Sequence, residues 1–147
     1  MSSYAPIILQ VVDDKGQELF NQSVPFEMEI DVEQVMERAF VLAQTSAAPD
    51  PLQYTEQYYG YSKAAQFPGY LGYEVESIGK YPNNQQFYWA LSINGVLSSE
   101  GADSIQPGPG SAVLWRYTPI PANPQELPAR TRVIHSRRAA RAALNAR

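Results

Sequence analysis

The sequence predicts an α+β fold: a mixed sheet with one helix packed on one face, followed by an extended C-terminal tail. Three observations predict it. Short runs rich in β-branched and aromatic residues are separated by Gly-, Asn- and Pro-containing turns. One segment carries apolar residues at helical spacing. That segment lies between an N-terminal hairpin and a set of later strands, so strand and helix must share one core.

Ile7 to Val12, "IILQVV", reads as the first strand, and "DDKG" supplies the turn after it, with Gly16 free to take positive φ. "QELFNQSVPFEMEID" reads as the second strand. Its later half alternates, with Phe26, Met28 and Ile30 on a buried face and Glu27, Glu29 and Asp31 on a wet one. Pro25 marks an edge position or a bend. Asp31 is then a helix N-cap, with Gln34 placed to close a loose capping box. Val32, Val35, Met36, Ala39, Phe40 and Ala43 form the apolar stripe of the helix, which Pro49 and Pro51 bring to an end.

Residues 47–72 form a Tyr-rich loop. From Tyr54 to Tyr73 there are six Tyr and no steady period, which predicts an ordered, irregular excursion rather than a disordered one. "YEVESIGKY" is a third strand and "PNNQ" a turn. "QFYWALSING" is a fourth strand, with Phe87, Trp89, Leu91 and Ile93 on one face and Tyr88, Ala90 and Ser92 on the other. Asn94-Gly95 is the strongest turn signal in the chain. "GADSIQPGPGSAVLWRY" supplies a turn region and a last strand, Ala112 to Tyr117. Hairpin, helix, aromatic loop and then three or so strands is the order of a β-grasp-like sheet.

The chain divides by composition into a domain at 1–118 and a Pro-rich linker with a basic tail at 119–147. Four Pro between Thr118 and Val133 make the linker extended. The Ala- and Arg-rich end has helix propensity, but its only large apolar residues are Val133, Ile134 and Leu144, a stripe that would order on a partner. The net charge of −4 conceals an asymmetry: from Thr118 onward six Arg face one acid (+5), and the preceding residues hold five Lys or Arg against fourteen acids (−9). With no cysteine in the 147 residues, disulfides, thiolate metal sites and a cysteine nucleophile are excluded. The N-terminal apolar run stops at Val12, too short for a secretion signal or a membrane span, so a cytoplasmic address is the default expectation.

Enzyme chemistry finds little support, and no catalytic or metal-binding residue is assigned. The sole His, His135, lies in the tail, where a solvated side chain is the simpler reading. Glu74 and Glu76 share a strand face and could work as an acid–base pair, but a wet sheet face explains them more simply. Asp13, Asp14, Glu100 and Asp103 sit in turns without metal-loop spacing. "GPGS" at 108–111 lacks the lysine of a phosphate loop.

Binding is the better supported class. The tyrosines either pack on their own sheet or form a recognition surface, since Tyr supplies large contact area at low entropic cost. The candidate ligand-binding residues are Tyr58, Tyr59, Tyr61, Tyr70, Tyr88, Trp89 and Asn94; for Trp89 a core position is the competing reading. Arg130, Arg132, Arg137, Arg138 and Arg141 are candidates for a partner contact. They either stay solvated, dock an acidic protein surface (this domain's own or another chain's, including a second copy), or touch nucleic acid, which the acidic body disfavours.

The run "LGYEVESIG…FYWALSINGVLSSEGADSIQPGPGSAVLWRY" resembles the C-terminal β-domain of the transcobalamin and intrinsic factor family and its small bacterial relatives. The shared features are Ile78-Gly79, Tyr88-Trp89, Asn94-Gly95, Gly101-Ala102 and Trp115-Arg116-Tyr117. The resemblance implies a β-grasp scaffold whose aromatic edge and loops contact a ligand, with cobalamin as the candidate; the residues themselves identify no cofactor. The first expectation is thus a non-enzymatic binding module for a small hydrophobic or aromatic-tolerant ligand. The alternative is a structural or assembly protein using the Tyr loop and basic tail for protein contacts. A weaker third is a small enzyme using Tyr hydroxyls and carboxylates.

Overall fold

The computed structural model describes residues 4–44 and 52–145. The Pro49 and Pro51 helix stop, the start of the 47–72 loop and Arg147 lie outside the described residues. The fold is α+β. Strands β1 (Ile7–Val12) and β2 (Glu18–Val24) form the N-terminal hairpin and lead into helix α1 (Val32–Gln44). Then come β3 (Tyr54–Tyr58), β4 (Tyr61–Ser62), β5 (Gly69–Tyr70), β6 (Tyr73–Ile78), β7 (Tyr81–Pro82), β8 (Phe87–Ile93), β9 (Val96–Leu97) and β10 (Ala112–Pro119). A second helix, α2 (Ala129–Asn145), follows.

The main sheet has the order β2-β1-β10-β8-β9. β1 and β10 are parallel neighbours at its centre, and the remaining pairs are antiparallel. Ile7, Leu9 and Val11 are fully buried, as a central strand requires. The predicted stripe of α1 packs on this sheet: Val32, Val35, Met36, Ala39 and Phe40 join Trp89, Leu91, Val113 and Trp115 in one core. The capping box forms as expected. Asp31 Oδ1 accepts from the Gln34 amide at 2.8 Å, and Gln34 Oε1 accepts from the Asp31 amide at 3.0 Å. Asn94 (φ 52°) and Gly95 (φ 82°) both take the left-handed conformation that joins β8 to β9, which a two-residue hairpin turn of this hand demands.

Three expectations are corrected. β2 ends at Val24, and the alternation of Phe26, Met28 and Ile30 belongs to a connection: Met28 is 81% exposed and Glu29 has φ 64°. Pro25 offers no amide to continue the ladder, and a left-handed residue turns the chain out of extended geometry. The Tyr-rich stretch is not irregular throughout. β3 pairs with β6, and β6 with β7, in a second sheet, while β4 and β5 form a two-stranded flap. The fold also carries two helices rather than one. The C-terminal segment is extended only through the prolines, and α2 begins directly after Pro128. Val133 and Ile134, two of its three large apolar residues, are buried against Tyr59 and Leu71, which supplies the apolar burial the isolated segment lacks.

Candidate functional site

The β3–β6 sheet has two unlike faces, because successive side chains on a strand point opposite ways. Gln57, Tyr59, Glu74 and Glu76 point toward α2; Glu56, Tyr58 and Tyr73 point the other way.

On the first face α2 acts as an arginine clamp. Arg130 Nε donates to Leu71 O at 2.7 Å, its Nη2 donates to Tyr73 O at 2.8 Å, and its Nη1 lies 3.5 Å from the Glu74 carboxylate. Arg137 donates to Tyr59 O at 2.8 Å and to Tyr61 O at 2.9 Å. Arg138 pairs with Glu76 at 3.0 Å, Glu76 also accepts from the Tyr59 hydroxyl, and Arg141 donates to Gln57 at 2.8 Å. Arg132 turns away and bonds Gln125 at 2.9 Å. The wet-face reading of Glu74 and Glu76 therefore fails. Glu74 is buried and burial raises its carboxyl above the usual range, with Arg130 opposing that rise. Burial and the bond to Glu76 push the Tyr59 phenol up to about 12. His135 is half-buried on α2 rather than solvated, and burial lowers its basicity.

The clamp holds the main chain at residues 59, 61, 71 and 73, and those segments carry exposed tyrosines. Tyr61, Tyr70, Tyr58 and Tyr73 form a chain of tilted rings, with successive centroids 5.1, 6.1 and 5.0 Å apart. Tyr61 is 70% exposed; Tyr58 and Tyr70 are also exposed and Tyr73 is half-buried. Asp103 anchors the chain: its Oδ2 accepts from the Tyr70 hydroxyl at 2.5 Å and its Oδ1 from the Tyr73 amide at 3.0 Å. That bond raises the Tyr70 phenol well above its usual range. The approach depends on Gly72, where φ is 71° and a Cβ would fall 2.5 Å from Asp103 Oδ1.

Three more acids feel the charge of Asp103. Asp31 and Glu33 come from the start of α1, and Glu56 lies on β3 two residues before Tyr58. Burial, then the charge and hydrogen bond of Glu56, push Glu33 up to about 7, and burial raises Glu56 as well. An acid whose folded value exceeds its unfolded one stabilises the fold below the unfolded value and loses that contribution as pH rises. The window here runs from 4.5 to about 7. Glu33→Gln is therefore expected to gain melting temperature relative to the parent protein between pH 5 and pH 8, as read by a thermal scan. An offset that is the same at both pH values would refute the raised Glu33 carboxyl.

Of the sequence candidates, Tyr58, Tyr61 and Tyr70 come together. Tyr59 faces α2. Tyr88 is buried under Leu127, Trp89 is in the core, and Asn94 lies at the β8–β9 turn, where its side chain accepts from the Ala112 amide at 2.8 Å. From the sequence Asp103 reads only as a turn acid, and nothing local marks Glu33 or Glu56 as site residues. The clamp had a signal: Arg130, Ile134, Arg137, Arg138 and Arg141 share one helical face. Elsewhere, a cavity of about 10 Å³ lined by Glu74, Trp115 and Arg130 has room for about one water. A groove of about 310 Å³ between Pro25 and Leu42 holds no aromatic side chain. Among the described residues no group of three or more His, Cys, Asp or Glu could hold a metal ion, and no helix is long and apolar enough to cross a membrane.

Residues 52–119 match the model of a family described as "Domain of unknown function (DUF4430)". No curated protein matches the chain. Among solved structures, the chain is similar to a protein from Ruminococcus gnavus ATCC 29149 provisionally named a metal binding protein. The TM-score is 0.51 at 13% identity, over 78% of this chain and 97% of that one. It is also similar to haptocorrin in complex with Cbi, with a TM-score of 0.49 at 20% identity over 80% of this chain; it spans only 26% of the haptocorrin chain. At 13% identity the likeness to the Ruminococcus gnavus protein is one of fold alone.

Proposed function

We propose that the chain is a non-enzymatic binding module that takes a small hydrophobic or aromatic-tolerant ligand on the face formed by Tyr58, Tyr61 and Tyr70. One observation carries this: exposed phenol rings in mutual contact, on main chain pinned from behind by Arg130 and Arg137. Large exposed aromatics on a rigid frame lose little entropy when a ligand covers them. Most of the tail arginines bind this chain's own atoms, which takes away the main reason to read the tail as an arm for other chains. Glu74 and Glu76, the strand carboxylates able to form an acid–base pair, are held by Arg130 and Arg138.

The test is a titration of tyrosine fluorescence with a panel of flat or apolar small molecules, run beside a thermal-shift assay. Cobalamin belongs in the panel because residues 71–117 resemble the transcobalamin family. A saturable response is expected, and Tyr61→Ala should weaken it about tenfold while leaving the melting temperature in place. A flat titration across the panel with no thermal shift would refute the reading.

A further inference from the structure

The two faces of the β3–β6 sheet differ in charge. Arg130, Arg137, Arg138 and Arg141 all reach the face covered by α2. The tyrosine face holds Asp103, bonded to Tyr70, and Glu56, which lies two residues before Tyr58 on β3. Ion pairs among the described residues join Arg38 to Glu27, Arg130 to Glu74 and Arg138 to Glu76, and none involves Asp103 or Glu56. Asp103 is bonded directly to Tyr70, so carboxylate and aromatic ring belong to one surface. A tyrosine ring presents a negative face, and a phenol donating its proton to a carboxylate is made more electron-rich. Aromatic faces beside uncompensated carboxylates attract an organic cation by two additive routes, the ring quadrupole and the net charge.

Resting on the binding reading above, we propose that the Tyr58–Tyr61–Tyr70 face with Asp103 and Glu56 selects a small molecule bearing an organic ammonium group. A cationic head needs to sit within about 6 Å of a ring centroid, and Tyr58, Tyr61 and Tyr70 each leave exposed ring surface for it. The carboxylates supply selectivity over a neutral molecule of the same shape, because that molecule gains neither the ring quadrupole nor the net charge.

Choline and its uncharged isostere 3,3-dimethylbutan-1-ol separate charge from shape. Both are titrated into the full chain, with tyrosine ring resonances followed by NMR. Choline is expected to saturate and to bind at least about tenfold more tightly than the isostere. Tyr61→Ala and Asp103→Asn should each weaken choline. Asn at 103 keeps an acceptor for the Tyr73 amide, and Glu56→Gln provides a second charge variant should Asp103→Asn fail to fold. Equal affinity for the two probes, or choline binding indifferent to all three substitutions, would overturn the proposal and leave the binding reading intact. So would silence toward choline in a protein that binds members of the hydrophobic panel. Silence toward choline, the isostere and the panel together would overturn both.

Discussion

Arg130→Met is expected to lower the unfolding free energy by about 3–5 kcal/mol, the range for breaking a buried ion pair by removing one partner. Arg130 is 4% exposed, and its guanidinium satisfies the carbonyls of Leu71 and Tyr73 while facing Glu74. Methionine fills similar volume but donates nothing, so two carbonyls and one carboxylate lose their partner. The sign of the pH dependence follows. Glu74 is already raised by burial, and without Arg130 it rises further, so the folded variant holds a proton that the unfolded chain releases. The loss should therefore be smaller near pH 5 than at pH 8. Urea melts at both values measure it. A double variant, Arg130→Met with Glu74→Gln, should recover part of the loss at pH 8. A single-variant cost that is small or independent of pH would show that the clamp does not hold the buried carboxylate. Because the same guanidinium anchors the segment around Tyr70 and Tyr73, a ligand that responds to Tyr61→Ala should also bind the Arg130 variant more weakly.

Trp89→Ala is expected to cost about 3–5 kcal/mol as well, for a different reason. Trp89 is 1% exposed, meets Tyr81 edge-on and Tyr117 at a tilt, and donates its indole N–H to Tyr81 O at 2.8 Å. Removing it leaves a cavity between the main sheet and the β6–β7 connection. Its ring touches none of Tyr58, Tyr61 or Tyr70, so the folded fraction should keep its ligand affinity. Trp89→Phe should cost less, since it keeps most of the buried ring and loses the bond to Tyr81. The check is a denaturation midpoint set beside a binding constant measured below the transition. A variant that keeps its stability but loses affinity would move Trp89 from the core to the ligand face.

Both predictions depend on features of different legibility. Alternation along β8 puts Trp89 on the face of Phe87, Leu91 and Ile93 and leaves core and ligand contact as competing readings, between which the structure chooses the core. No alternation places Arg130. Its residue type and its position in a proline-rich, basic segment pointed outward, and only the carbonyls of residues 71 and 73, nearly sixty positions away, draw it in. The same division runs through the candidate site. Tyr58, Tyr61 and Tyr70 were visible as an aromatic stretch. Asp103 reads as an ordinary turn residue, yet it is the group that binds Tyr70 across thirty-three positions.

From the order of residues alone came the α+β class, the hairpin, the Asp31–Gln34 cap, the apolar stripe of α1 and the Asn94-Gly95 turn. Each depends on side chains two to four positions apart, where chain geometry permits few arrangements. The splitting of residues 54–73 into strands, the docking of α2, and the gathering of its arginines on one sheet face around Glu74 and Glu76 came only from the folded molecule. Those depend on which distant segments pair and in what register, and register is chosen by burial and charge summed over the whole core, which no short window of sequence contains.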